Sequence, residues 1–360
     1  MTDECRIPDP PGNALPPVLD AFQEAASRAC IPLNAVIELT HRCNLLCTHC
    51  YNRDRNRAAG DCPELSVEEV FPLLAALRDE GNLFIALTGG EPLLHPRFFD
   101  ILDRARDLHQ SVQILTNGTL LDAAIVAKLA SYPNLLGVSV SVYGARKGTH
   151  DAITRTPGAF VRTWEGTRRL RDAGIRVRVK FLLMTSNAGE AAEMIARARA
   201  EGMPFTADAA VTARHDGDPA PLNLRLGEDA LLTLYRGPLR RLAPGPAAVT
   251  SENFACNCAR GNCAISATGD IYPCISVPLP AGNIREASFA NLWKNSPVLK
   301  RIRRLGMEDF PSCRDCRILP WCIRDRGAAY LASGKYTGVD PWICRQAEIL
   351  RRAAEAPAAP

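Results

Sequence analysis

The chain has 360 residues, of which 47% are hydrophobic and 23% are charged, a balance typical of globular proteins with a substantial core. Its formal net charge of +4 is too small to indicate binding to nucleic acid or to a membrane surface. The sequence contains no run of about 18 apolar residues that would predict a membrane span. The amino terminus also lacks the basic and apolar segments of a signal peptide. We therefore expect a cytoplasmic protein, whose 14 cysteines indicate metal ligation rather than disulfides.

Residue patterns divide the chain into five segments. We predict an N-terminal arm over residues 1–33, a βα core over 34–215, a bridging segment over 216–250, a cysteine-rich domain over 251–350 and a tail over 351–360. The arm is rich in proline and contains one predicted helix, from Val18 to Cys30. The bridging segment contains another predicted helix, from Gly227 to Leu242.

Apolar runs of strand length alternate with helical patterns between residues 34 and 215. The predicted strands are Ala35 to Leu39, Leu83 to Leu87, Val112 to Leu115, Leu136 to Val142, Ile175 to Leu183 and Phe205 to Val211. Ser66 and Glu69 form a capping box that opens a helix through Arg78, and Asp122 caps a helix that reaches Ala130. The pattern predicts an α/β fold, a partial (β/α)6 TIM-like barrel with a small cysteine-rich C-terminal domain. In such a barrel the chemistry gathers where the strands end.

Three cysteines follow the first predicted strand with the spacing C-x3-C-x2-C: Cys43, Cys47 and Cys50. Thiolates in short runs of this kind hold iron–sulfur clusters. Three thiolates leave one position of a four-iron cluster open to another ligand, which favours a catalytic site. The alternative is a zinc site completed by His41 or His49.

Small and polar residues end the next three predicted strands. They are Gly89-Gly90-Glu91-Pro92, Thr116-Asn117-Gly118, and Ser139 and Ser141 before Tyr143-Gly144. Glycine allows close approach of a ligand, and the Glu91 carboxylate could receive an ammonium group. Each signal is weak alone, but together they predict a ligand-binding rim beside the three cysteines.

A second group of cysteines lies in the C-terminal domain. Its members are Cys256, Cys258, Cys263, Cys274, Cys313, Cys316, Cys322 and Cys344. By spacing alone, these eight thiols fit either two zinc sites or two iron–sulfur clusters. We interpret the three remaining cysteines, Cys5, Cys30 and Cys62, as small buried or half-buried residues.

The cysteine triplet followed by Tyr51, with the 89–92 and 116–118 segments, resembles the radical S-adenosylmethionine (SAM) enzymes over about residues 34–215. The resemblance implies a [4Fe–4S] cluster on the triplet, whose open iron is chelated by SAM. Reductive cleavage of SAM would yield methionine and a 5′-deoxyadenosyl radical that abstracts hydrogen from a substrate. The barrel would keep this radical away from water.

The same resemblance assigns the residues that contact SAM. It implies that Gly89, Gly90 and Glu91 bind the amino group of the methionine moiety. It also places Asn117 and Ser141 where the family contacts the ribose or the methionine carboxylate. An electron donor such as a flavodoxin or a ferredoxin is implied as a partner.

The second cysteine group, with its Gly-Asp-x-Tyr-Pro-Cys hairpin, is similar to the SPASM extension, which carries two auxiliary [4Fe–4S] clusters. The resemblance implies three clusters in all, the last one held by Cys313, Cys316, Cys322 and Cys344. The position of a further family cysteine, a ligand of the first auxiliary cluster, is occupied by Arg326.

Two arrangements of the first auxiliary cluster remain open from the sequence. In one, the cluster has an open iron able to bind substrate. In the other, the Cys256 and Cys258 pair supplies the missing thiolate together with Cys263 and Cys274. We expect the second, since it accounts for the pair, although two ligands separated by one residue would be strained.

The resemblance implies a ribosomally made peptide or a protein as substrate, which is cross-linked, cyclised or oxidised. Only about 33 residues precede the first strand, so we expect a separate peptide-recognition protein or direct leader binding. Alternatives are protein oxidation as in anaerobic sulfatase maturation, haem-side-chain modification, or a non-catalytic iron–sulfur electron carrier. We expect His150 and Asp151 to have packing and helix-capping roles rather than acid–base roles.

Overall fold

The computed structural model describes residues 17–52, 63–243, 245–247, 249 and 256–355. Cys5 and Cys62 lie outside the described residues, so their interpretation stays a prediction. Cys30 is half-buried, as expected.

The described residues form one open, mostly parallel sheet. Its strands are β1 (Asn34–Glu38), β2 (Phe84–Thr88), β3 (Ser111–Thr116), β4 (Leu135–Val142), β5 (Val177–Leu182), β6 (Phe205–Asp208), β7 (Asn262–Ile265) and β8 (Ile271–Tyr272). Their order across the sheet is β6-β5-β4-β3-β2-β1-β7-β8. All neighbouring strands are parallel except β7 and β8, which form an antiparallel hairpin.

Helices connect the strands and continue into the C-terminal region. Those up to the last core strand are α1 (Pro17–Arg28), α2 (Val67–Asp79), α3 (Phe98–Asp107), α4 (Ala123–Ala130), α5 (Lys147–Thr154), α6 (Ala159–Asp172) and α7 (Ala191–Ala200). The later ones are α8 (Glu228–Arg236), α9 (Phe289–Asn295), α10 (Pro297–Arg304), α11 (Pro311–Arg314), α12 (Arg326–Ser333) and α13 (Pro341–Glu355).

The predicted α/β fold with an open partial barrel is confirmed. Each of the six predicted apolar runs overlaps one of the strands β1 to β6, and both predicted helix starts are present. The Ser66–Glu69 capping box precedes α2, and the Asp122 side chain accepts a hydrogen bond from the Ile125 amide at the start of α4.

Two elements differ from the sequence-based expectation. The bridging helix α8 ends at Arg236 rather than at Leu242, because Pro238 follows Gly237 and cannot continue a helix. The last helix, α13, continues to Glu355, beyond residue 350, where we expected the C-terminal domain to end.

The C-terminal region adds two strands to the core sheet. The β7 strand pairs with β1 in parallel, so the cysteine-rich segment is joined to the barrel by backbone hydrogen bonds. With four residues, β7 is too short to give a clear strand pattern in the sequence. The core and the cysteine-rich region therefore share one sheet.

The two faces of the sheet have different surroundings. Side chains such as Ala35 and Ile37 of β1 pack into a hydrophobic cluster with the helices. Alternate residues, such as Asn34 and Val36, line a cavity on the opposite face. None of the helices in the described residues has the length and apolarity needed to span a bilayer.

Candidate active site

The segment that carries Cys43, Cys47 and Cys50 follows β1 and lies against the end of β2. The Gly90 amide donates to the Thr40 carbonyl at 2.7 Å, and the Glu91 amide donates to the Arg42 carbonyl at 2.8 Å. These bonds continue the pairing of the two parallel strands beyond their ends. The cysteine segment is therefore positioned directly by the Gly-Gly-Glu backbone.

Both glycines are required by contacts within the chain itself. A Cβ on Gly90 would lie 2.1 Å from the Arg42 carbonyl oxygen, and one on Gly89 would lie 2.4 Å from the Thr40 carbonyl oxygen. Gly89 also has a φ of +132°, which other residues rarely adopt. We expected these glycines to allow the approach of a ligand, but the group that approaches them is the backbone of the cysteine segment.

We expect Gly90→Ala to displace the cysteine segment, because two backbone groups would overlap and neither can rotate away. The reconstituted variant should lose most SAM cleavage and part of its iron. Gly148→Ala is the matched control, since a Cβ there meets no atom within 4 Å. Full SAM cleavage by Gly90→Ala would contradict this role.

The three thiols all lie near Tyr143. Burial and the nearby Cys47, Cys50 and Cys43 thiols raise the pKa of Tyr143 well above its usual value, and its hydroxyl shares a hydrogen bond with Ser141. Tyr143 is therefore an uncharged side chain beside the thiols, and its hydrogen bond with Ser141 connects them to the end of β4.

Asn117 approaches the same site from the end of β3. Its Nδ2 lies 3.9 Å from the Cys43 Sγ and donates to the Asn44 Oδ1 at 2.9 Å. Its Oδ1 accepts hydrogen bonds from the backbone and hydroxyl of Thr119. Asn117 therefore contacts the cysteine segment directly, whereas Ser141 is linked to it through Tyr143.

The donor set fits an iron–sulfur cluster with one open position. Within the described part of the chain, no three Cys, His, Asp or Glu side chains converge closely enough to share one metal ion. A four-iron cluster does not require such convergence, because each thiolate binds a different iron atom. The two histidines considered as zinc ligands have other contacts, since His41 Nδ1 lies 3.3 Å from Asn52 Nδ2 and the His49 ring packs on Tyr143.

Glu91 has a different environment from the one we predicted. Its side chain is 0% exposed and accepts hydrogen bonds from the Thr116 hydroxyl at 2.8 Å and from the Asn117 amide at 2.9 Å. The Leu93 amide also donates to it, at 3.3 Å. Burial raises the pKa of Glu91 to about 7. The structure thus corrects the expectation that this carboxylate receives an ammonium group, because it is committed to holding the end of β3.

A buried carboxylate at the end of β1 was not predicted from the sequence. Glu38 accepts a hydrogen bond from the Tyr51 hydroxyl at 3.0 Å, and burial raises the pKa of Glu38 to about 7. The Tyr51 ring packs on His215, with ring centroids 4.5 Å apart. The sequence signal that could have revealed it is a charged residue within an otherwise apolar strand, at a position that alternates onto the face of the cavity.

A cavity of about 1160 Å³ lies along the sheet face that Glu38 shares with Asn34 and Val36. Polar strand residues such as Gln113, Ser139 and Arg178 line it. Four cysteines of the second group also lie along this cavity: Cys256, Cys258, Cys263 and Cys274. The cavity therefore extends from the core sheet to the cysteine-rich region.

Cys256, Cys258 and Cys274 form one group of thiols. The Sγ atoms of Cys258 and Cys274 are 3.0 Å apart, Cys256 hydrogen-bonds with Cys258, and the Tyr336 hydroxyl lies 3.3 Å from the Cys256 Sγ. This trio could hold one cluster through three thiolates.

The structure separates Cys263 from this group, contrary to our prediction. Cys263 lies on β7 beside Ala35, and its fully buried side chain belongs to the hydrophobic cluster on the helix-covered face. Burial raises the pKa of Cys263 to about 12. Consecutive side chains of a strand point to opposite faces, and the neighbouring Asn262 bonds to the cavity-lining Asn34 while the Cys263 side chain packs in the hydrophobic cluster.

The four remaining thiols, Cys313, Cys316, Cys322 and Cys344, come together as the sequence implied. Burial is the main reason that the pKa of Cys344 is raised, and the nearby Cys322, Cys313 and Cys316 contribute. The thiols are drawn from the region of α11, from the segment before α12 and from α13. The set has the four thiols that a closed cluster needs.

His150 and Asp151 have the expected structural roles. Asp151 accepts hydrogen bonds from the amides of Gly158 and Phe160 at 2.7 and 2.8 Å, at the start of α6. His150 is buried and accepts from the Tyr143 amide at 3.2 Å, and burial lowers its pKa to about 4.

Comparison with known proteins identifies two domain families in the chain. The model of the radical SAM superfamily matches residues 37–205. The model of SPASM, an iron–sulfur cluster-binding domain, matches residues 256–317. Both matches contain cysteine groups that the structure brings together.

Similar proteins have more than one named activity. The chain is 29% identical to an AdoMet-dependent heme synthase of Methanosarcina barkeri, over 85% of this chain and 94% of that protein. It is 26% identical to the mycofactocin maturase MftC of Mycobacterium ulcerans, over 91% of this chain and 89% of that protein. The structure of native anSMEcpe with bound AdoMet and Cp18Cys peptide has a similar fold, with a TM-score of 0.66, 16% identity, and coverage of 89% of this chain and 96% of that one.

Proposed function

We propose that this chain, whose residues 37–205 match the radical SAM superfamily and whose residues 256–317 match the SPASM domain, is a maturase that abstracts hydrogen from a ribosomally made peptide. The two domains imply [4Fe–4S] clusters and SAM as cofactors. When bound, these cofactors supply the 5′-deoxyadenosyl radical that removes the hydrogen atom. The proposed product is a cross-linked, cyclised or oxidised side chain.

Residues of the chain would prepare the site in distinct ways. We assign Cys43, Cys47 and Cys50 as the thiolates of the SAM-binding cluster. Asn117 and Ser141, which the structure holds beside this segment, would orient the ribose or the methionine carboxylate. The backbone of Gly89 and Gly90 would face the methionine amino group, whereas the buried Glu91 would fix the position of Asn117.

The size and the lining of the cavity are the observations that support a peptide substrate. At about 1160 Å³ it exceeds the usual range of small-molecule pockets, about 300 to 1,000 Å³, and its lining mixes backbone, apolar and polar groups. It also reaches the thiols of the first auxiliary site, so a peptide side chain held there would lie near a second redox centre. The MftC similarity covers most of both chains and supports a maturase.

A haem-side-chain activity is the second candidate. Arg171, Arg176 and Arg178 line the cavity, and guanidinium groups pair well with the carboxylates of a tetrapyrrole. The similarity to a heme synthase over 94% of that protein supports this candidate. The two candidates share the radical step and differ only in the substrate.

The experiment is anaerobic incubation of the reconstituted protein with SAM and dithionite. We expect 5′-deoxyadenosine and methionine, and their absence would contradict the enzyme assignment in favour of an electron carrier. Addition of a short peptide encoded beside the gene should increase 5′-deoxyadenosine and change the peptide mass. An increase with an iron-loaded, carboxylate-bearing tetrapyrrole instead would establish the second candidate.

A further inference from the structure

Arg326 is buried at the start of α12, between the two C-terminal thiol groups. Its side chain is 8% exposed, and its guanidinium lies 4.9 Å from the centre of the Phe310 ring. Its Nε donates to the Arg324 carbonyl at 3.1 Å, whereas its Nη1 is buried without a hydrogen-bond partner among the described residues. A donor left in this state indicates that a group absent from the polypeptide completes its surroundings.

The start of α12 lies against the segment that carries Cys274. A Cβ on Gly327 would lie 2.1 Å from the carbonyl oxygen of Ser276, so the two backbones are in direct contact there. Residue 326 is adjacent to this contact, and Ser276 is two residues beyond Cys274. A short ligating side chain at position 326 could therefore reach the trio of Cys256, Cys258 and Cys274. The longer arginine extends to Phe310 instead.

The guanidinium of Arg326 lies beside the first thiol group. Arg326, Cys256 and Tyr336 share the walls of one small cavity. Arg326 is also close to Cys322 of the second group, and the guanidinium of Arg324 is close to both Cys256 and Cys322. Two guanidinium groups therefore place positive charge near both thiol groups.

We propose that Arg326 replaces the fourth protein ligand of the first auxiliary cluster and leaves one iron open to an exogenous Lewis base. Arginine has no lone pair to offer a metal, so the cluster would have three thiolates: Cys256, Cys258 and Cys274. The large cavity reaches the same three thiols, so a ligand can approach from it, whereas Arg326 is not part of its lining.

In this proposal the guanidinium also tunes the reduction potential of the auxiliary clusters. Hydrogen bonds to cluster sulfurs and positive charge nearby stabilise the reduced, more negative cluster. Arg326, through its unpartnered Nη1, therefore raises the reduction potential of the auxiliary clusters. The proposal rests on the cluster assignment of the proposed function, but it does not depend on the identity of the substrate.

The first test probes the open position in reconstituted protein saturated with SAM, so that the SAM-binding cluster is already chelated. Imidazole is the added Lewis base, and electron paramagnetic resonance of the reduced protein is the readout. We expect imidazole to change the auxiliary signal of the wild type and to leave that of Arg326→Cys unchanged, because cysteine would supply the fourth thiolate. A wild-type signal that does not respond to imidazole would overturn the open position.

The second test measures the reduction potentials of the auxiliary clusters. Arg326→Met, which keeps the length but removes the charge, should lower the potential, and Arg326→Lys should retain more of the wild-type value. The matched control is Arg106→Met, on α3 of the core, whose side chain is 44% exposed and paired with Asp103 and Asp107. Equal potentials in the wild type and Arg326→Met would overturn the tuning role.

The two tests remain informative if one variant does not assemble. If Arg326→Met loses its iron, the imidazole response of the wild type still decides the open position. The potential of Arg326→Lys then decides the tuning role: it should stay close to that of Arg106→Met, and a much lower potential despite the retained charge would contradict that role. Formation of 5′-deoxyadenosine is measured in parallel. If it persists while imidazole has no effect, the proposal about Arg326 fails and the proposed function stands.

Discussion

Replacement of Cys43, Cys47 and Cys50 by alanine should abolish 5′-deoxyadenosine formation and lower the iron content from about twelve to about eight atoms per chain. The three thiols are the only groups that we assign to the SAM-binding cluster, and the structure brings all three to Tyr143. Removing them eliminates the cluster but leaves the auxiliary thiols untouched. Iron and sulfide analysis of the reconstituted protein, together with chromatography of the SAM products, provides the measurement.

Cys263→Ala is the matched control for this experiment. It also removes a cysteine thiol, but one that lies in the hydrophobic cluster on the helix-covered face of the sheet. We expect it to retain about twelve iron atoms and to cleave SAM. Loss of about four iron atoms in Cys263→Ala would restore this residue to the first auxiliary site. A wild-type content of about four iron atoms would contradict both auxiliary clusters.

The six core strands and the position of the cysteine segment after β1 could be predicted because their signals are local. Apolar runs, a capping box and the spacing of Cys43, Cys47 and Cys50 are each read within a few residues. The ends of β2 and β3 were located to within one residue, since the strands end at Thr88 and Thr116 rather than at Leu87 and Leu115. Parallel strands then placed the predicted rim residues at one edge of the sheet without further information.

The direction of individual side chains was harder to predict. Cys263 has the spacing of a ligand, but the pairing of β7 with β1 turns it away from Cys258 and Cys274. A strand of four residues has too weak a pattern to reveal this pairing. Glu91 was similarly assigned to the rim, although its carboxylate turns inward to groups from the next strand.

The same tertiary contacts explain why a motif can be recognised before its physical role is known. The Gly-Gly-Glu sequence suggested a ligand-binding surface. In the structure, Gly89 and Gly90 admit the backbone of the cysteine segment, and Glu91 fastens the end of β3. The motif therefore joins three strand ends around the site. The residue types of this motif are therefore required by the contacts at this junction as much as by any ligand.

Glu91→Ala should destabilise the protein by about 3 kcal/mol or more, because it leaves the buried Thr116 hydroxyl and Asn117 amide without their acceptor. It also creates a cavity at a side chain that is 0% exposed. Urea unfolding of the reconstituted protein and of the iron-free protein measures the loss. A control is Glu165→Ala, which removes an exposed ion pair with Arg169 and should cost less than about 1 kcal/mol.

Glu91→Ala should also impair function, because it should displace Asn117 and, through Asn117, the cysteine segment. Once its amide is released, Asn117 loses the fixed position from which its Nδ2 approaches Cys43 and Asn44. We therefore expect weaker SAM binding even in the fraction of the variant that is folded and loaded with iron. Glu91→Gln retains one carbonyl acceptor and should give an intermediate loss of both stability and affinity. If Glu91→Ala binds SAM as tightly as the wild type does, the carboxylate stabilises the fold without positioning Asn117. The contacts of Gly89 and Gly90 would then be what positions the cysteine segment on the barrel.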